Sequence, residues 1–236
     1  MLAKEATSIR DADVENAAAI MKGVEATLER VRERGVDDAI AQGQVFELAG
    51  MPEKAGKVYL GALGGDDGRS ACEALARYII VLFRQDRRTE ALESANRLAA
   101  IDPEFTMTSV VYGETYSSMT LLGDALFVNK RLDDAQSAYD AALKTLPGDS
   151  YVSSRMALLL LAKNETKSAI RLSRAVRESP RFADLHNMLK LGEEGLINLE
   201  LSEDAAMTVV LASPAGRPFR VGEARQAAPI ARSDWS

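Results

Sequence analysis

Apolar residues recur at i, i+3, i+4 and i+7 along four stretches, 75–83, 119–128, 156–161 and 169–176. That is the spacing of one face of an α-helix, and it predicts four amphipathic helices. Val14, Ala17, Met21, Val24, Leu28 and Val31 follow alternating steps of three and four, which predicts a helix over 11–34, capped by Asp11 or Asp13 and ended by Gly35. Phe182, Leu185, Leu189, Leu196 and Leu199 predict another over 182–200, and 203–211 completes a further helical segment. Gly192 and Gly195 weaken the first of these by about 1 kcal/mol each relative to alanine. No stretch alternates as a strand does. The apolar run from Tyr78 to Phe83 lies between Arg77 and Arg84, far too short for a bilayer, and reads as a buried helix segment. Pro52, Pro103, Pro147 and Pro180 all fall at predicted turns.

A longer period underlies these helices. Met119, Leu122, Gly123 and Leu126 are followed by Ala135, Tyr139, Ala142 and Pro147. The same frame continues in Ala157, Ala169 and Pro180. It runs backward through Leu75, Tyr78, Ile79, Leu82, Ala91, Ala95, Leu98 and Pro103, and then through Gly43, Phe46, Ala55, Tyr59 and Ala62. Ala55, Ala91, Ala135 and Ala169 mark equivalent positions, spaced 36, 44 and 34 apart. Over residues 36–181 the chain resembles the tetratricopeptide repeat (TPR) family, whose 34-residue helix-turn-helix units carry small residues where helix A meets helix B. It departs from that pattern in having no tryptophan at the fourth position and Ile79 in place of a small residue.

The resemblance implies an all-α, right-handed superhelical solenoid of about four to five TPR-like repeats. Residues 1–35 form an N-terminal capping helix, 36–181 the array, 182–211 C-terminal capping helices or a degenerate repeat, and 212–236 a disordered basic tail. Two readings of the N-terminal seam stand open: a cap on the first repeat, or a dimerising coiled coil. The extra residues from Glu104 to Thr115, with Val110, Val111 and Tyr112, lengthen the following helix or add a short turn. They either rim the groove or lie on the outer edge.

Composition narrows the function. The 236 residues carry 29 basic and 35 acidic side chains, a net charge of −6, which argues against coating nucleic acid. The tail from Ala212 holds Arg217, Arg220, Arg225 and Arg232 against Glu223 and Asp234, with Phe219 and Trp235 as isolated aromatics, and reads either as a solvated tail or as a partner-binding or groove-binding segment. The start of the chain lacks the apolar core of a secretory signal, so the expected compartment is the cytoplasm, without membrane insertion. One cysteine, Cys72, and one histidine, His186, exclude a disulfide framework and leave too few ligands for a typical zinc site. Gly64, Gly65 and Gly68 lack the Lys-Ser/Thr of a phosphate loop, and the pairs Asp66-Asp67 and Asp133-Asp134 read as turn and capping residues. No enzyme activity and no cofactor are expected.

The family resemblance instead implies a protein-protein interaction scaffold, adaptor or chaperone that holds a partner's helix or extended segment in the concave groove lined by the A helices. Carried over position by position, that groove is expected to use Gln44, Glu47, Glu73, Arg77, Phe83, Arg84, Asp124, Phe127 and Tyr151. The Lys and Asn of the carboxylate-clamp members are missing; Gln44, Ile80 and Asp124 stand there instead. The alternatives are a self-assembling structural protein, a homo-oligomer, or an accessory subunit presenting its tail to an enzyme complex.

Overall fold

In the computed structural model the described residues are 22–27, 39–63, 68–109, 114–176, 182–195 and 201–212, together with 19, 29 and 30. The protein is mostly helical. The described residues between 19 and 30 are helical, with Val24 buried. After them come α1 (Ala39–Leu48), α2 (Pro52–Ala62), α3 (Arg69–Arg84) and α4 (Arg88–Ile101). A small hairpin follows, β1 (Thr106–Thr108) and β2 (Thr115–Ser117), then α5 (Ser118–Val128), α6 (Leu132–Thr145) and α7 (Ser150–Ala162). The chain continues through α8 (Thr166–Arg171), α9 (Ser173–Val176), α10 (Ala183–Glu193) and α11 (Glu203–Ala212). The other residues of the N-terminal seam, Leu196 and Leu199, Pro180, the Gly64–Asp67 loop and the tail beyond Ala212 lie outside the described residues.

One turn recurs four times. Gly50, Asp86, Lys130 and Asn164 all sit at positive φ (71°, 54°, 62° and 59°), each in the turn joining an odd-numbered helix to the next even one. The following amide closes the same bond each time: Met51 to Phe46, Arg87 to Leu82, Arg131 to Leu126 and Glu165 to Leu160, at 2.7–3.0 Å. This is the left-handed helix termination in which the second residue past the helix bonds back five positions. Only the first copy has the glycine that left-handed backbone favours. The turns are spaced 36, 44 and 34 residues apart, as are Ala55, Ala91, Ala135 and Ala169, all fully buried.

Small residues set how closely paired helices approach. A Cβ built on Gly43 would lie 2.2 Å from a ring carbon of Tyr59, and one on Gly123 2.4 Å from a ring carbon of Tyr139. Each glycine on an odd helix is thus the recess for a tyrosine on the next even helix. Sequential helices pack pairwise from α1 to α7, and α1, α3, α5 and α7 also pack on one another in succession. One continuous apolar core runs through them, with α3 and α7 at its centre. From Tyr151 to Leu161 every residue of α7 is buried.

The long spacing between the second and third turns holds the hairpin, where periodicity predicts no strand. Its strands pair antiparallel, Met107 opposite Tyr116 and Thr108 opposite Thr115. Three-residue strands alternate too briefly to be read from sequence. Met107 and Tyr116 enter the core, the threonine hydroxyls of 108 and 115 meet at 3.1 Å, and Ser109 N–H donates to the Glu114 carbonyl at 2.9 Å. Residues 110–113, with Val110, Val111 and Tyr112, lie outside the described residues.

Candidate functional site

The nine residues expected to line a groove all lie on odd-numbered helices: Gln44 and Glu47 on α1, Glu73, Arg77, Phe83 and Arg84 on α3, Asp124 and Phe127 on α5, and Tyr151 on α7. Phe83 and Phe127 are buried in the apolar core, and Arg84, the last residue of α3, is half-buried. The other six gather into two polar clusters.

In the first, the Tyr59 hydroxyl on α2 donates to Glu47 Oε1 at 2.5 Å. Arg77 donates to Glu73 Oε1 from Nη2 (2.9 Å) and Nε (3.1 Å), and its Nη1 lies 4.0 Å from Glu47 Oε1. With its amide oriented oxygen-inward, Gln44 accepts from Arg77 Nη2 at 2.6 Å. Glu47 and Arg77 are buried, whereas Glu73 keeps 31% of its side-chain surface, so the cluster has one edge in water. Burial, and then the Glu47 carboxylate, push the Tyr59 phenol well above its ordinary pKa.

The second cluster is fully buried. Asp124 accepts from the Tyr139 hydroxyl on Oδ1 (2.6 Å) and from the Tyr151 hydroxyl on Oδ2 (3.0 Å). Arg155 Nε lies 3.2 Å from Asp124 Oδ1, and its Nη2 donates to the Tyr151 hydroxyl at 2.6 Å. Both charged side chains are fully buried, and Arg155 Nη1 has no hydrogen-bond partner. The guanidinium lies over the Tyr151 ring, 4.4 Å from its centroid, with Phe182 at 5.6 Å. Tyr116 of the hairpin and Phe182 both meet Tyr151 edge to face. Burial raises the Asp124 carboxyl, opposed by Arg155 and the two hydroxyls. Burial also raises Tyr139 and Tyr151. For Arg155 burial works against the charge, but Asp124 and then the tyrosines outweigh it and hold the guanidinium protonated.

The clusters share a plan: an acid on an odd helix, a tyrosine on the next even helix in the pocket of a glycine, and an arginine on the following odd helix. Arg155, Tyr139, Tyr59, Tyr116 and Phe182 are absent from the expected site. The two arginines carry a legible signal, since each is the single charge in a mostly apolar stretch, ALARYIIVLF and YVSSRMALLLL. Such a charge calls for a buried partner. Of the remaining sequence candidates, Cys72 is buried on α3, His186 is half-buried on α10, and Asp133 and Asp134 sit in the first turn of α6, paired with Lys163 and Arg131.

No family model matches the chain, and no curated protein matches it. Among the described residues no helix is long and apolar enough to cross a membrane.

What distinguishes the odd-helix face is its cover. Helix α11 packs across α3, α5 and α7. Its Ala205, Ala206, Met207 and Val210 are buried, as is Leu201 just before it. At the α1 end the described residues are less covered. Ile40, Gln44 and Val45 are half-buried there, and Leu48 is 70% exposed.

Proposed function

We propose that the protein is a TPR-like helical-repeat scaffold that binds a segment of another protein along the face of its odd-numbered helices. The observation that carries this reading is α11 itself: a ten-residue helix lying across α3, α5 and α7, so the face has the shape to seat a helix. The four equivalent turns and the glycine-tyrosine pairs support a repeat array. The odd-numbered helices also pack on one another in succession, as the A helices of a repeat array would.

In this reading the clusters of Glu47 and Asp124 hold the A helices in register, and no residue has a catalytic role. The accessible part of the groove is the α1–α3 end, with Gln44, Leu48, Glu73 and Arg84. A photo-crosslinking side chain placed at Leu48 tests it, with Lys57 on the exposed side of α2 as control. A discrete partner crosslinked from position 48 and not from 57 is the expected result. Equal crosslinking from both positions, or none from 48, removes the reading.

A further inference from the structure

We propose that α11 is an intramolecular occupant of the partner-binding face, and that it gives way to a partner helix of its own chemistry. This rests on the reading of the odd-helix face given above. The buried positions of α11 define the chemistry: Ala205 and Ala206 side by side, Met207 next, and Val210 one turn further, preceded by Glu203 and Asp204 in the first turn. Two adjacent alanines let a helix axis approach the face closely, and methionine adapts to an irregular surface. Ala205 and Ala206 contribute little apolar area, so the seat rests mainly on Leu201, Met207 and Val210, which join the core.

Charge orients the seated helix. Lys130, in the left-handed turn after α5, reaches Asp204 at 3.5 Å, with both side chains largely exposed. An exposed pair of this kind adds little affinity but selects an acidic first turn over a basic one. The helix also carries its own start signal: Ser202 Oγ accepts from the Ala205 amide at 3.2 Å, and Ala206 N–H donates to the Ser202 carbonyl at 3.0 Å. One of the open amides of its first turn is therefore capped from within the segment itself. The inferred partner is an amphipathic helix with a small-small-Met-x-x-Val face and acids in its first turn.

Hydrogen exchange on the intact chain is the first test. The amides of α11 should be protected at least about 100-fold less than those of α5 and α7, because they open locally. If α11 exchanges together with α5 and α7, it belongs to the core and the inference is overturned. The second test is binding of a labelled peptide of residues 201–212. The Ala206→Glu chain, with its own helix unseated, should bind it at least about 10-fold more tightly than the unaltered chain, and a peptide carrying the same substitution should not bind. Should Ala206→Glu fail to fold cooperatively, Lys130→Glu replaces two tests with one: the unaltered peptide should bind it no better than the parent chain, and a peptide with Asp204→Lys should bind it about 2–5-fold better. No such preference overturns the inference. If α11 opens but no variant binds the peptide, the face does not take a helix in trans, and the scaffold reading fails as well. If α11 stays shut while position 48 still crosslinks a partner, only the present inference fails. A dimeric mass in light scattering that Ala206→Glu abolishes would make the occupant a second copy, contrary to the proposal.

Discussion

The two tyrosine-acid-arginine clusters are built alike and closed differently. Around Glu47 the arginine is shared between two carboxylates and an amide, and Glu73 reaches solvent. Around Asp124 a single carboxylate faces a single guanidinium, two tyrosine hydroxyls bond the carboxylate while Arg155 Nη1 has no hydrogen-bond partner, and aromatic rings flank the guanidinium. The difference follows from position. The first cluster lies where the described residues of the odd-helix face are less covered, the second where the hairpin, Phe182 and the C-terminal helices close over α5 and α7. The same polar kit thus serves as a part-exposed clamp at one end and a buried pin in the middle. A buried pin tolerates the loss of a partner far less.

The largest expected effect exploits that asymmetry. Asp124→Ala leaves the Arg155 charge buried without a counterion and should cost about 3–5 kcal/mol in denaturant unfolding. Glu47→Ala should cost about 2 kcal/mol, because Arg77 keeps Glu73 and Gln44. Equal losses would mean that the two clusters are equally sealed.

Alkaline titration gives the next effect. Tyr59, Tyr139 and Tyr151 all have phenols raised above the ordinary value of 10. Each therefore keeps its proton in the folded chain at a pH where the unfolded chain has lost it. The stabilisation is fully present below pH 10 and falls as pH rises beyond it, by about 1.4 kcal/mol per tyrosine per pH unit. The buried cluster supplies two of these three groups. Phenolate absorbance should show that Tyr59, Tyr139 and Tyr151 ionise only with unfolding, and Tyr59→Phe should lower the pH slope of stability. Early ionisation of Tyr139 or Tyr151 would show that water reaches the closed cluster.

Parts of this arrangement were legible in the chain, and for physical reasons. A helix crossing that needs a small residue leaves an alanine or glycine at fixed spacing, which is why Ala55, Ala91, Ala135 and Ala169 stand out and why all four are buried. Carrying positions over by 34 residues also brings Asp124 and Tyr151 onto neighbouring odd helices. The hairpin could not be read this way, since strands of three residues leave almost no period. Nor could the cover over α3, α5 and α7. Periodicity describes which side of a helix is apolar, but the path that lays α11 on those helices is set by contacts some 50 to 140 residues distant. Arg155 marks the boundary between the two cases. Its place in an apolar run announces a buried counter-charge, without saying which of the acids supplies it.

The smallest effects sharpen the comparison by removing one neutral partner from each cluster. Tyr151→Phe deletes the hydroxyl that bonds both Asp124 Oδ2 and Arg155 Nη2, in a fully buried site flanked by Tyr116 and Phe182. It should cost about 2 kcal/mol, the range for leaving buried charged groups short of a bond. Gln44→Ala deletes the amide beside Arg77 at the half-open edge, where solvent takes up the freed N–H groups, and should cost less than about 1 kcal/mol. The ratio matters more than either value. Near unity, it would show that water enters both clusters alike, and the closure of the odd-helix face by the C-terminal helices would be looser than the packing of Phe182 and Tyr151 requires.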